Sequence, residues 1–285
     1  MRGSASFLCH LFMRKLFLTG LLIGLEIFLV SSISYALRVS PQAYQRRLQE
    51  EKIQSNLVPF EVSPFQVFTE SKLSSSLRRG LKKIIRDSIH SIGDHFNYYP
   101  KEAVQLSLLD GATYDSIDDP RIVSGGFYRN KKIRMRFDYK QNETQLLKDF
   151  ERVFRHEYTH LVIASIDGGK TPRWLNEGLA VYEEKGKAGR KKGDGKAFYK
   201  RMQEKGTFIP IRDFVKRSLT RQYTEKARDF YENSYVLAKY LVDEYGLEKL
   251  RSLFKKMKDS GSFSSAFQQA YDIDLETLAK GAYGS

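Results

Sequence analysis

The longest stretch of helical periodicity covers Thr144–Ser165, where Leu146, Leu147, Phe150, Val153, Phe154 and Leu161 recur at helical spacings and form one apolar stripe. Asp167-Gly168-Gly169 ends it, and Pro172 opens a second helix reaching about Glu184. Two helices joined by a tight turn make an αα-hairpin, so facing side chains of the pair can meet. Upstream, Leu77, Leu81, Ile84, Ile85, Ile89 and Ile92 mark a helix over Leu73–Ile92. Strand periodicity appears at Pro59–Thr69 (PFEVSPFQVFT), read as one strand, and at Ala103–Leu109. It appears again at Lys132–Tyr139, where Ile133, Met135 and Phe137 alternate with Lys132, Arg134 and Arg136. Downstream the pattern is helical, at about 195–205, 224–245, 247–258, 262–271 and 274–280, with Tyr245-Gly246 as a C-cap signal. This order predicts an α+β fold: an N-terminal mixed sheet, two hairpin helices, then a C-terminal helical subdomain.

The N-terminus follows a different pattern. Met13-Arg14-Lys15 precedes an apolar run from Leu16 to Val30, and Ser34-Tyr35-Ala36 fits a small-x-small cleavage site. Residues 1–36 therefore read as a secretory signal, with Met13 as an alternative start. The rival is an uncleaved membrane anchor, against which Glu26 and the short run both argue. Residues 37–57 read as a polar helical lead-in, and 58–285 as the folded domain. The expected location is outside the cytoplasm, periplasmic or secreted. Cys9, the only cysteine, falls in the leader, which removes disulfides and thiolate ligands from the remainder.

Composition is that of a globular protein, 41% hydrophobic and 29% charged, with 17 Tyr and 19 Phe to fill a core. The formal charge is +14, of which the leader carries +2. With an export signal and no nucleic-acid motif, this cation excess points to anionic envelope or membrane surfaces rather than nucleic acid. Its one concentrated cluster, Lys185–Lys196 (KGKAGRKKGDGK), is Gly-rich without an apolar period and is expected to be a loop.

The chemistry-bearing motif is His156-Glu157-Tyr158-Thr159-His160 on the long helix. Residues four apart share a helix face, so both imidazoles can reach one ion, while Glu157 is offset by about 100 degrees towards an attacking water. Glu177, in Trp174-Leu175-Asn176-Glu177-Gly178-Leu179-Ala180, is returned to the same place by the hairpin. Two histidines and a carboxylate leave a fourth position open, the arrangement of a catalytic zinc site. Glu184 lies seven positions further on the same face; it either orients a ligating histidine or is a solvated helix-end acid. His90 and His95 are five apart, a poor ligand spacing, and read as structural.

HEYTH followed by WLNEGLAVYEE resembles the paired HExxH and NEG motifs of gluzincin zinc metallopeptidases of the peptidase MA-like branch. The resemblance implies a zincin-like metallopeptidase fold, one Zn2+ per chain on His156, His160 and Glu177, and Glu157 as general base for a zinc-activated water. It also implies a substrate-binding edge strand, placed here at Lys132–Tyr139 with Ile133 and Met135 and preceded by Gly125 and Gly126. Tyr231 and Tyr235 fall where relatives carry an oxyanion-stabilising tyrosine, and Tyr231 is the preferred candidate. Aminopeptidases of the clan have a Gly-x-Met-Glu-Asn segment whose Glu grips a free amine. This chain has Gly125-Gly126-Phe127-Tyr128-Arg129-Asn130 instead, which favours an endopeptidase. The expected partner is a peptide or protein substrate. The competing function is a non-catalytic envelope-binding protein, against which the intact Glu157 argues.

Overall fold

The computed structural model describes residues 40–117, 125–129, 131–190, 194–216, 225–260 and 262–284. The leader expected at 1–36 lies outside them. One compact unit is residues 1–55, whose described part is the polar helix α1 (Pro41–Ser55); the second, residues 56–285, contains everything that follows. No helix among the described residues is long and apolar enough to cross a membrane.

The second unit begins with a five-stranded mixed sheet. Strands β1 (Val58–Val62) and β2 (Phe65–Thr69) form an antiparallel hairpin. Helix α2 (Ser75–Phe96) then crosses to β3 (Val104–Leu109), which runs parallel to β2. After α3 (Gly111–Ile117) come β4 (Gly126–Arg129) and β5 (Lys132–Arg136), an antiparallel pair of which β5 joins β3 in parallel. The order is β1-β2-β3-β5-β4.

Two expectations need correction. Pro59–Thr69 is a hairpin, not one strand. The buried positions are Phe60 and Val62 before Ser63-Pro64 but Phe65, Val67 and Thr69 after it. That shift of one residue breaks the strict period of two, and Pro64 has no N–H for a ladder. The substrate edge is also misplaced at Lys132–Tyr139. Strand β5 is interior, Ile133 and Met135 are 0% and 1% exposed, and β4 takes the edge. Ile133 and Met135 are therefore core residues, closed to substrate by β3 on one side and β4 on the other.

Helix α4 (Glu143–Asp167) is capped by Asn142, whose side chain accepts from the Thr144 N–H, and ends at Gly168 with φ 69°. Its apolar stripe stacks Phe150 on Phe154 and Phe154 on Tyr158, and Phe65 of β2 meets Phe154 edge-on. Asp167 turns the chain by accepting from the Gly169 and Thr171 N–H groups, and α5 (Arg173–Gly189) folds back along α4.

The helical half comprises α6 (Asp194–Glu204), α7 (Ile211–Phe214), α8 (Glu225–Ser260, broken at Gly246 with φ 77°), α9 (Phe263–Tyr271) and α10 (Leu275–Tyr283). The basic cluster is not a simple loop: α5 runs through it to Gly189 with a break at Gly186, and α6 starts at Asp194. Its cations are partly turned inward. Lys185 lies over the Tyr235 ring at 4.8 Å, and Arg190 over the Tyr182 ring at 3.5 Å.

Candidate active site

The hairpin of α4 and α5 brings His156, His160 and Glu177 together. Nε2 of each histidine is 3.5 Å from Glu177 Oε2, and the three ligand atoms all lie within 4.8 Å of one another. A tetrahedral zinc with bonds of about 2.0–2.1 Å separates its ligand atoms by roughly 3.3 Å, so the spacing fits. The tautomers fit as well. His156 Nδ1 pairs with Glu184 Oε2 at 2.9 Å and His160 Nδ1 with Asn176 Oδ1 at 3.0 Å. With Nδ1 donating to these acceptors, each Nε2 faces Glu177, carrying the proton that a bound ion would replace.

Glu184 is thus a partner of His156 rather than a solvated helix-end acid, and Arg152 Nη1 holds its other oxygen at 2.7 Å. Asn176 pairs likewise with His160. Its one sequence signal is its place immediately before the third ligand. Behind this layer Glu183, 1% exposed, accepts from Arg155 Nη2 at 3.0 Å and meets His95 Nδ1 at 2.6 Å. Arg155 also donates to the Glu183 carbonyl at 2.7 Å and to Ser91 Oγ at 2.9 Å, tying α4 and α5 to α2. His95 is structural as expected, and His90 packs edge-on against Tyr99.

Close helix packing sets the position of Glu177. A Cβ on Gly178 would stand 2.1 Å from the Ser234 carbonyl oxygen of α8, so only glycine lets α5 lie this near. Charge completes the cluster. Burial lowers the His156 pKa, but hydrogen bonds to Glu177 and Glu184 overcome it and push the value up to about 10. His160 moves the same way: burial opposes its charge, and Glu177 more than compensates. Burial raises Glu177, but the two histidines outweigh it and hold the carboxyl well below the usual range.

Glu157 stands apart from this set. It is 6% exposed, and burial raises its pKa against the pull of His156 and His160. The Tyr128 backbone N–H of β4 bonds to its carboxylate. Gly126 of the same strand makes this approach possible, because a Cβ there would lie 2.6 Å from Val153 Cγ1 and 2.8 Å from Glu157 Cγ. A Cβ on Gly125 would likewise meet Val153 Cγ2 at 3.1 Å. The two glycines therefore do border the site, whereas Ile133 and Met135 do not.

The tyrosines separate cleanly. Tyr231 of α8 has its ring 6.5 Å from that of His156, and burial raises its pKa with Glu177 and Glu157 nearby. Tyr235 is 2% exposed and packs under Lys185. Arg173, at the start of α5, has its Nε 3.7 Å from Glu177 Oε1, and its charge pulls the Tyr231 value down. No sequence argument had singled it out, although it lies four residues before the ligand.

The mixed sheet, the HExxH helix and the helical half are those of a zincin-like α+β fold. No curated protein matches the chain. Residues 142–283 match the family model of the peptidase MA superfamily, a generally zinc-dependent group. That span runs from the cap of α4 to the end of α10, covering His156, Glu157, His160, Glu177, Glu184 and Tyr231. On motif, fold and match together, the chain carries a peptidase MA superfamily domain.

Proposed function

We propose that this protein is an exported zinc-dependent peptidase that cleaves internal peptide bonds. One observation carries the reading: three oriented ligand atoms converge on one point while a buried carboxylate, Glu157, sits beside them outside the ligand set. His156, His160 and Glu177 would hold the ion, which supplies Lewis acidity to the scissile carbonyl and to the attacking water.

The remaining work belongs to the chain. Glu157, aimed by the Tyr128 N–H, takes the proton of the attacking water and returns it to the leaving amine. Burial suits it to this, since a carboxylate raised towards neutrality accepts a proton more readily. The Tyr231 hydroxyl, on a ring 6.5 Å from that of His156, would donate to the oxygen on which charge develops. An extended peptide would lie along β4, the edge strand of the described sheet beside Glu157. Gly126, Phe127, Tyr128 and Arg129 include no carboxylate to capture a free amine, which supports cleavage within a chain.

The test is Glu157→Gln, which keeps the shape but removes the base. Zinc should remain near one per chain while turnover of a library peptide falls by at least about 10²-fold. A zinc-loaded variant with normal turnover would overturn the mechanism. A wild type that binds zinc and cleaves nothing in a broad library would instead support the binding-protein reading. Export is checked separately: protein recovered outside the cytoplasm should begin at Leu37, and retention of residues 13–36 would establish an anchor.

A further inference from the structure

Arg173 is the one cation of the described residues that touches both the third ligand and the candidate oxyanion residue. Its Nε lies 3.7 Å from Glu177 Oε1, the oxygen not shared by the histidines, and its charge also acts on the Tyr231 side chain. Glu177 is 12% exposed at its side chain, whereas that of Arg173 is 47% exposed. The guanidinium therefore stands on the solvent side of the carboxylate, at the lip of the site. The site's other close cation, Arg152, is committed to Glu184 at 2.7 Å. A guanidinium presents five donors in a planar fork that matches a carboxylate, and Glu177 and Tyr231 leave much of that fork facing the opening.

We propose that Arg173 determines specificity by receiving a carboxylate of the substrate beside the cleaved bond, so that acidic peptides are preferred. This rests on the peptidase reading above. The carboxylate can come from an Asp or Glu side chain or from the peptide's own C-terminus. Tyr231, within the influence of the same guanidinium, would share the bound anion while facing the reacting carbonyl, which explains placing the preference next to the scissile bond. A bland i,i+4 pair with Glu177 accounts for the 3.7 Å contact but not for the electrostatic influence on Tyr231 of another helix.

The test uses peptides differing at one residue beside the cleaved bond, carrying Glu, Gln or Lys, each with a free or amidated C-terminus. Wild-type kcat/KM should favour Glu over Gln by about tenfold, the scale of a charge-assisted hydrogen bond. Arg173→Gln should erase that ratio, and Arg173→Glu should turn it towards Lys. If amidation rather than the Glu side chain governs the ratio, the terminal carboxylate is the group recognised. A loss shared equally by all three peptides in Arg173→Gln would overturn the proposal, since a purely structural arginine does not change ratios. The same peptides are also titrated onto zinc-loaded Glu157→Gln protein, with and without Arg173→Gln. Their relative affinities decide the role of Arg173 even if the wild type hydrolyses none of them.

Discussion

Replacing Gly178 by Ala sets two effects of opposite sign against each other. In a helix interior, Ala is favoured over Gly by about 1 kcal/mol, so propensity alone makes the variant more stable. Packing opposes this. The new Cβ would stand 2.1 Å from the Ser234 oxygen, 2.6 Å from its carbonyl carbon and 2.8 Å from Ala238 Cβ. Carbon and oxygen normally approach no closer than roughly 3.3 Å, so α5 and α8 must part by roughly 1 Å. The obstacle is helix backbone, which cannot rotate aside, so the misfit belongs at the upper end of the overpacking range, about 3 kcal/mol. The net is a loss of about 2 kcal/mol, or about 4–8 °C in Tm for a domain of this size. Because Glu177 is the adjacent residue, the displacement also reaches the ligand set, and zinc affinity should fall by about tenfold or more. Thermal and denaturant unfolding of zinc-loaded and chelator-stripped protein, with a zinc competition titration, measure both. A Gly178→Ala protein with raised Tm would show that propensity prevails and that the helices are not held this close.

Two further predictions concern the metal. Glu184→Gln leaves His156 with a weaker acceptor at Nδ1, so zinc affinity should drop about 10–100-fold without loss of fold; an unchanged dissociation constant would remove Glu184 from the site's support. Because its carboxylate partners push the His156 pKa up to about 10 and raise that of His160 as well, zinc uptake near neutral pH should release between about one and two protons per ion, measurable with an indicator dye. The sign follows from the raised value. Metal-free stability from charged His156 is complete below its ordinary 6.5 and is lost as pH rises through about 10, so zinc binds more tightly over that same rise.

The site was more legible than the sheet, for a physical reason. Ligands four apart on a helix, followed by a turn and a returning helix, have few geometries open to them, and His156, His160 and Glu177 lie together as expected, while the spacing of Glu184 left two readings open. Strand alternation reports one buried face but not which neighbours a strand has. Ile133 and Met135 alternate identically whether β5 is edge or interior, so its place had to come from the whole sheet. The β1–β2 hairpin did leave a trace, the shift in parity between Phe60 and Val62 and Phe65 and Val67. Glu183 and Arg155 left none. Both are charged residues on helices, and only the tertiary contact among α2, α4 and α5 shows them buried together.

That buried contact also bears on how the ligands are held before any metal arrives. Helix α5 carries three carboxylates on adjoining positions of one side: Glu177, Glu183 and Glu184. Each meets a partner on α4, Glu183 with Arg155, Glu184 with His156, and Glu177 with both histidines. In a chain with 48 cations and 34 acids, these acids sit where α4 supplies their counterparts. The pairing fixes the register of the two helices, because sliding either by one turn would leave buried charges unmatched, a loss of about 3–5 kcal/mol for each broken pair. The histidines play the cation's part in two of these contacts, which their raised pKa values make possible at neutral pH. A metal ion entering this site would therefore meet ligands already assembled. It would displace protons from a cluster already closed around Glu177, while Glu157 of α4 lies outside the ligand set and against β4.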